Sequence, residues 1–211
     1  MANNNKITVF TAIDGWRDRL LSQPDGNFLA YTSAFQECSP WEIRQLDCLF
    51  KDPVRNAKMI KVLNHFYCET EYSLWIDANC QLLKSPEEFI PLLGDNDIMF
   101  AKHKQDDCIY NEAEVVLHSR KIDQKTVERQ MSRYKKEIPN HSGMFAGGVI
   151  LRRNNARVRD FNSLWWAEIT YGTARDQLSL PFTLKNSGVK FGTFDWSIDD
   201  RNDYFKFQDH L

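Results

Sequence analysis

Asp77-Ala78-Asn79 combines two oxygen donors that a hard divalent cation prefers. The Asp77 carboxylate and the Asn79 amide carbonyl stand one residue apart, and ligands of this kind suit Mg²⁺ or Mn²⁺. A cation held there can neutralise a diphosphate as it leaves a sugar carbon. The three residues follow directly on the apolar run Tyr72-Ser73-Leu74-Trp75-Ile76. Ligands of an open parallel sheet gather beyond the carboxyl ends of its strands, so a carboxylate at this point is well placed for chemistry. Taken alone, the motif divides evenly between this use and a plain turn or helix cap, because strands often end in Asp.

Other groups can complete such a site. Arg55 and Lys58 lie close to one helical turn apart and can present two cationic heads to phosphates, although spacing alone favours an exposed helix face. Phe10-Thr11-Ala12-Ile13-Asp14-Gly15 follows the first expected strand, which makes Thr11, Ala12 and Asp14 candidates for a nucleotide-contacting loop. It is not a GxGxxG turn, which disfavours a dinucleotide fold in the strict sense. Gly147-Gly148 precedes an apolar strand, where paired glycines allow close backbone approach to a ligand or simply make a bulge. Arg175-Asp176-Gln177 opens a helix after Gly172, a place where Asp ordinarily caps or faces the helix dipole.

The elements that must position these groups are legible as alternation. Short apolar runs at residues 7–10, 28–32, 72–76, 97–101, 148–151 and 189–194 read as strands. Helical patterns occupy residues 41–50, 54–66 and 157–171, the last stopping before Gly172 with Trp165 directed into the core. Ser85-Pro86-Glu87-Glu88 is a helix-start signal for residues 86–93, and residues 121–136 form a charged amphipathic stretch whose basic residues read as a solvated face. Residues 195–211 carry no clear assignment. Strands alternating with helices predict an α/β fold with a mainly parallel central sheet flanked by helices.

With 211 residues and 42% hydrophobic content, the chain suits one domain, residues 1–211, with a well-packed core. A formal net charge of -2 and the lack of a basic tail give no global sign of a polyanionic partner. The apolar run at residues 7–10 is too short for a signal-peptide core or membrane span, so the expected location is cytoplasmic, without a membrane anchor. Five cysteines without a CxxC pair read as reduced packing residues.

Longer stretches carry a resemblance. SLWIDANCQL at residues 73–82, AKHKQDDCIYNEAE at 101–114, QMSRY at 130–134 and LWWAEI with RDQLSL between residues 164 and 180 are similar to the glycosyltransferase-like domain of the plant mucilage-related and turgor-regulation proteins. The resemblance implies a glycosyltransferase A-type, Rossmann-like fold that uses a nucleotide-sugar donor and usually Mn²⁺ or Mg²⁺. By the same resemblance, Asp77 and Asn79 match the metal motif, with Asn in place of the commoner second Asp. A neutral amide offsets less cationic charge than a carboxylate, so Asn79 weakens the implied metal site. The resemblance further implies that Arg55 and Lys58 contact the donor phosphate or sugar, that Asp176 with Gln177 faces the transferred sugar, and that His210 returns to the cation. His103 and Glu112 match family positions without an assigned role. The plant proteins are membrane-anchored in the secretory pathway, whereas this chain begins almost at its first strand, which fits a bacterial or viral cytoplasmic version.

The expected reaction is attack by an acceptor hydroxyl on the anomeric carbon while cationic groups stabilise the departing nucleoside diphosphate. An inverting course requires a carboxylate base, with Asp176 and Asp199 as candidates. In a retaining course Asp176 instead steadies an ion-pair-like transition state. Glycan, lipid, protein, small-molecule and modified DNA-base acceptors all remain open, as does the oligomeric state. The alternatives are a non-catalytic nucleotide- or glycan-binding module and a haloacid-dehalogenase-like phosphatase. The phosphatase needs a second Asp where Asn79 stands.

Overall fold

The computed structural model describes residues 6–15, 18–34, 36–103, 107–118, 123–197 and 200–209. In chain order its strands are β1 (Ile7–Ile13), β2 (Phe28–Thr32), β3 (Trp41–Gln45), β4 (Tyr72–Ile76), β5 (Cys80–Leu82), β6 (Ile98–Lys102), β7 (Phe145–Arg153), β8 (Phe191–Ser197) and β9 (Phe205–Phe207). Its α-helices are α1 (Pro53–Val62), α2 (Ile109–His118), α3 (Gln124–Tyr134), α4 (Ala156–Tyr171) and α5 (Asp176–Ser187).

Seven strands form one sheet in the order β3-β2-β1-β4-β7-β6-β8. The pairings β1 with β2, β2 with β3, β1 with β4 and β6 with β8 are parallel. Only β7 runs against both of its neighbours, β4 and β6. This reversal brings the start of β7 to the carboxyl end of β4, where Ile76 pairs with Val149 and the Asp77 N–H donates to the Gly148 carbonyl at 2.9 Å. The expected α/β class with a mainly parallel sheet is therefore the observed one.

Both sheet faces are covered, which explains why the central strands read as continuous apolar runs. Along β4, Tyr72, Leu74 and Ile76 enter the core on one face, with Phe89 and Leu93. Trp75 points to the other face, where α1 and α4 supply Met59, Ile60, Phe161 and Trp165. The expectation that Trp165 is core holds: it is fully buried, and its indole N–H lies 3.2 Å from both the Asp176 carbonyl and Ser179 Oγ.

The structure corrects three local expectations. Residues 41–50 do not form a helix; Trp41 and Ile43 alternate onto the core face, a period of two that makes β3 a parallel edge strand. The helix expected over 54–66 ends at Val62 and tightens into a short 3₁₀ turn, Asn64–Phe66. Residues 86–93 are 3₁₀ rather than α, with Pro91 inside. Their start signal still operates, since the Ser85 N–H donates to Glu88 Oε1 at 3.0 Å. The unassigned tail contributes the end of β8 and the strand β9, which pairs antiparallel with β5.

Asp97 anchors the start of β6. It accepts two hydrogen bonds from the Arg157 guanidinium, both at 2.8 Å, one from Asn155 Nδ2 at 2.7 Å and one from the Lys190 N–H at 3.1 Å. Hydrogen bonding to Arg157 holds this buried carboxyl well below the usual range, against the opposing effect of burial. Asp97→Asn should destabilise the fold by about 2 kcal/mol at pH 7, a value discounted because Arg157 is 57% exposed. A depressed folded pKa gives stabilisation that is present above the unfolded value of about 3.9 and is lost as pH falls through the folded one. Urea unfolding should therefore show the gap between wild type and variant closing below about pH 4.

Candidate functional site

The carboxyl ends of β1 and β4 and the first turns of α1 enclose an open cleft of about 160 Å³. Its lining includes Ala12, Asp14, Lys58, Trp75 and Asp77. α1 begins here because Asp52 caps it, accepting from the Val54 N–H at 3.0 Å, and because Pro53 fits the first helical position. The helix thus turns the positive end of its dipole toward the cleft.

Asp77 leaves the end of β4 with its side chain 40% exposed. The Trp75 indole N–H donates to its Oδ1 at 2.8 Å, fixing the carboxylate while leaving it accessible. Asp14 is held from two elements: Ser33 Oγ donates to one carboxylate oxygen at 2.8 Å and Asn56 Nδ2 to the other at 2.7 Å. Ala12, Asp14, Lys58 and Asp77, all singled out in the sequence, line this one cleft.

Lys58 does not pair with Arg55. The Arg55 guanidinium reaches the carbonyls of Thr170 (3.4 Å) and Gly172 (3.5 Å), at the end of α4, where a cation complements the helix dipole. The partner on the Lys58 face is Lys61, and both ammonium groups meet Asp176 Oδ2, at 2.8 Å from Lys58 and 2.7 Å from Lys61. The helical reading of residues 54–66 did not single out Lys61, which lies three residues from Lys58 on the same face. Lys61 is 1% exposed and Asp176 2%, whereas Lys58 is 21% exposed and reaches the cleft.

The electrostatics follow from this packing. Burial opposes ionisation of Asp176, but the ammonium groups of Lys58 and Lys61 outweigh it and hold the carboxyl far below its usual range. Burial lowers the Lys61 ammonium to about 8 even with Asp176 beside it. Lys58 is raised overall, since Asp176 and Asp77 overcome the cost of its burial.

Several expected contacts sit elsewhere. Thr11 is fully buried on the sheet face opposite Ala12, as strand alternation requires, and does not line the cleft. Gly147 leaves room for the ion pair: a Cβ there would stand 2.6 Å from Lys61 Nζ and 3.1 Å from Asp176 Oδ2. Gly148 acts through its carbonyl on Asp77. Gln177 is buried; its backbone N–H donates to Asp176 Oδ1 at 3.1 Å, and its Oε1 has no hydrogen-bond partner among the described residues. Glu112 receives Arg175 at 2.7 and 2.9 Å, which fixes the entry to α5. The N–H of His103 donates to the Met144 carbonyl at 3.4 Å.

Asn79 ties down the chain end. Its Nδ2 donates to the Gln208 carbonyl at 2.7 Å, and the Gln208 N–H returns a bond to the Asn79 carbonyl at 2.9 Å. His210 and Asp199 lie outside the described residues. Among the described residues no group of three or more His, Cys, Asp or Glu side chains is placed to hold a metal ion. Mg²⁺ and Mn²⁺ sites that borrow substrate phosphates need only one or two protein carboxylates. Asp77, ordered and open to the cleft, fits a cation shared with a diphosphate and does not amount to a cage made by the protein alone.

The TOD1/MUCI70 glycosyltransferase-like domain matches residues 30–210. The chain belongs to that family. A curated relative, described as probable hexosyltransferase MUCI70 of Arabidopsis thaliana, is 31% identical over 143 residues. That alignment covers 62% of this chain and 25% of the relative, so the chain spans about a quarter of the relative's length. The TOD1/MUCI70 match contains Lys58, Lys61, Asp77, Gly147 and Asp176, while Ala12 and Asp14 lie ahead of it. Membership in the TOD1/MUCI70 family supports glycosyl transfer in general over the phosphatase alternative. No helix among the described residues is long and apolar enough to cross a membrane.

Proposed function

We propose that this domain transfers a sugar, of the hexose class named for its plant relative, from a nucleotide-sugar donor to a hydroxyl of a glycan acceptor. The observation that carries the reading is the pairing, in one cleft, of the accessible Asp77 carboxylate with the Lys58 ammonium.

The nucleoside lies toward Ala12 and Asp14 and the diphosphate between Lys58 and Asp77. Lys58 and the amino end of α1 meet the negative charge that grows on the diphosphate as the glycosidic bond breaks. Charge stabilisation of this kind, aimed at the transition state by groups already in place, is commonly the largest single contribution to catalysis. Asp77 would hold a divalent cation bound with the donor, and that cation would supply Lewis-acid stabilisation of the same leaving group. The Trp75 N–H keeps Asp77 from rotating away from that position.

A thermal-shift screen of UDP-, GDP- and ADP-linked sugars, with and without Mn²⁺, tests the reading. At a ligand concentration of 100 times Kd, binding adds about 2.7 kcal/mol, or roughly 5–10 °C for a domain of this size. One donor class should produce such a shift, larger with Mn²⁺. No shift with any nucleotide sugar at millimolar concentration would contradict the assignment.

A further inference from the structure

We propose that Lys61 is a positioning residue of the transfer reaction, acting through Asp176 to aim the Lys58 ammonium at the departing diphosphate. The proposal rests on the transfer reading above.

Lys58 carries its charge on a flexible four-carbon stem, and left alone it would spread over many rotamers. Asp176 Oδ2 removes that freedom at 2.8 Å. Asp176 is fixed in turn, by Lys61 Nζ at 2.7 Å on Oδ2 and by the Gln177 N–H at 3.1 Å on Oδ1. Lys61 itself is packed on every side: its Nζ lies 5.5 Å from the centre of the Trp75 ring, 4.0 Å from Asp77 Oδ1, and against Gly147, where a Cβ would leave no room. The chain from Gly147 through Lys61 and Asp176 to Lys58 therefore runs from a rigid strand to the cleft.

Stability alone is a weak reason for this arrangement. A buried ion pair is often replaceable by apolar side chains of similar volume without loss, because desolvation of two charges offsets their attraction. Here the pair is continuous with a cleft-lining cation, which gives it another use. The same geometry removes Asp176 as a general base. Its Oδ2 accepts both ammonium groups, its Oδ1 accepts the Gln177 N–H, and the carboxylate is only 2% exposed, so an acceptor hydroxyl does not reach it. Neither Asp176 nor Lys61 is a catalytic residue in this account; Lys58 is.

The test compares wild type with Lys61→Met, Asp176→Asn and the double variant, using the nucleotide sugar that the wild type consumes. Tm, kcat and the donor KM are measured for each, with folded fractions checked by circular dichroism. Lys61→Met should lower kcat about 10- to 100-fold, the scale of a misplaced catalytic group, with KM within about threefold. The neutral pair of the double variant should recover most of the Tm lost in Asp176→Asn, yet its kcat should stay as low as that of Asp176→Asn. If Lys61→Met proves too unstable to assay, the double variant carries the same comparison. A Lys61→Met kcat within twofold of wild type, or a double variant that regains kcat together with Tm, would overturn the proposal while leaving the transfer reading intact. A wild type that consumes no nucleotide sugar would bring down that reading and this proposal with it.

Discussion

Asp176→Asn should melt roughly 10 °C below wild type and turn over its donor about 100-fold more slowly. The carboxylate lies between two ammonium groups at 2.7 and 2.8 Å and is 2% exposed, so replacing it by a neutral amide leaves the buried Lys61, among the described residues, with no carboxylate closer than Asp77 at 4.0 Å. Breaking a buried pair from one side costs about 3–5 kcal/mol, because the surviving charge keeps its desolvation cost without its partner. Lys61, already lowered to about 8 by burial, then falls further and loses its proton. The pH dependence has a definite sign. A carboxyl whose folded pKa is depressed stabilises the fold above its unfolded value of about 3.9, and that contribution fades as pH falls through the folded value. The part of the Tm gap that the carboxyl carries should close below about pH 4. A variant melting within 2 °C of wild type at neutral pH would contradict the arrangement described here.

Asp77→Ala should show the opposite balance, with a large loss of activity and a small loss of stability. Its side chain is 40% exposed and accepts, among the described residues, one close side-chain hydrogen bond, from Trp75, so truncation leaves an unpaired indole N–H worth about 1 kcal/mol. The loss at the diphosphate is greater, since it removes the protein carboxylate that a shared cation would use. Removing one preorganised electrostatic contact to a transition state costs about 10²–10³ in kcat, and steady-state kinetics on the folded variant should show a fall of that size. The pair of variants thus separates a group at the substrate from a group beneath it.

That distinction was only half legible from the chain. The position of Asp77 could be read at once, because an apolar run ending in a carboxylate marks the carboxyl end of a strand, and β4 is where the run placed it, while the motif alone left its role evenly divided. Asp176 could be located but not understood: a helix-start Asp looks the same whether it faces solvent, a sugar or two buried lysines. Lys61 was hidden for a related reason, since a lysine in an amphipathic helix reads as surface until the strand that buries it is known, and that strand, β7, lies far along the chain and runs antiparallel. Gly147 could be read as a point of close approach, but the Lys61 side chain that crowds it could not be foreseen from the chain. The helix expected at residues 41–50 failed because five residues of Trp41-Glu42-Ile43-Arg44-Gln45 support either period, and pairing with β2 decides between them.

The most direct test of glycosyl transfer at this cleft is release of nucleoside diphosphate from nucleotide sugars, measured with Mn²⁺ for the wild type and for Asp77→Ala. Consumption of one donor class by the wild type, at a rate at least about 100-fold above the variant, is the expected result. Equal rates for the two proteins, or no release from any donor, would contradict it.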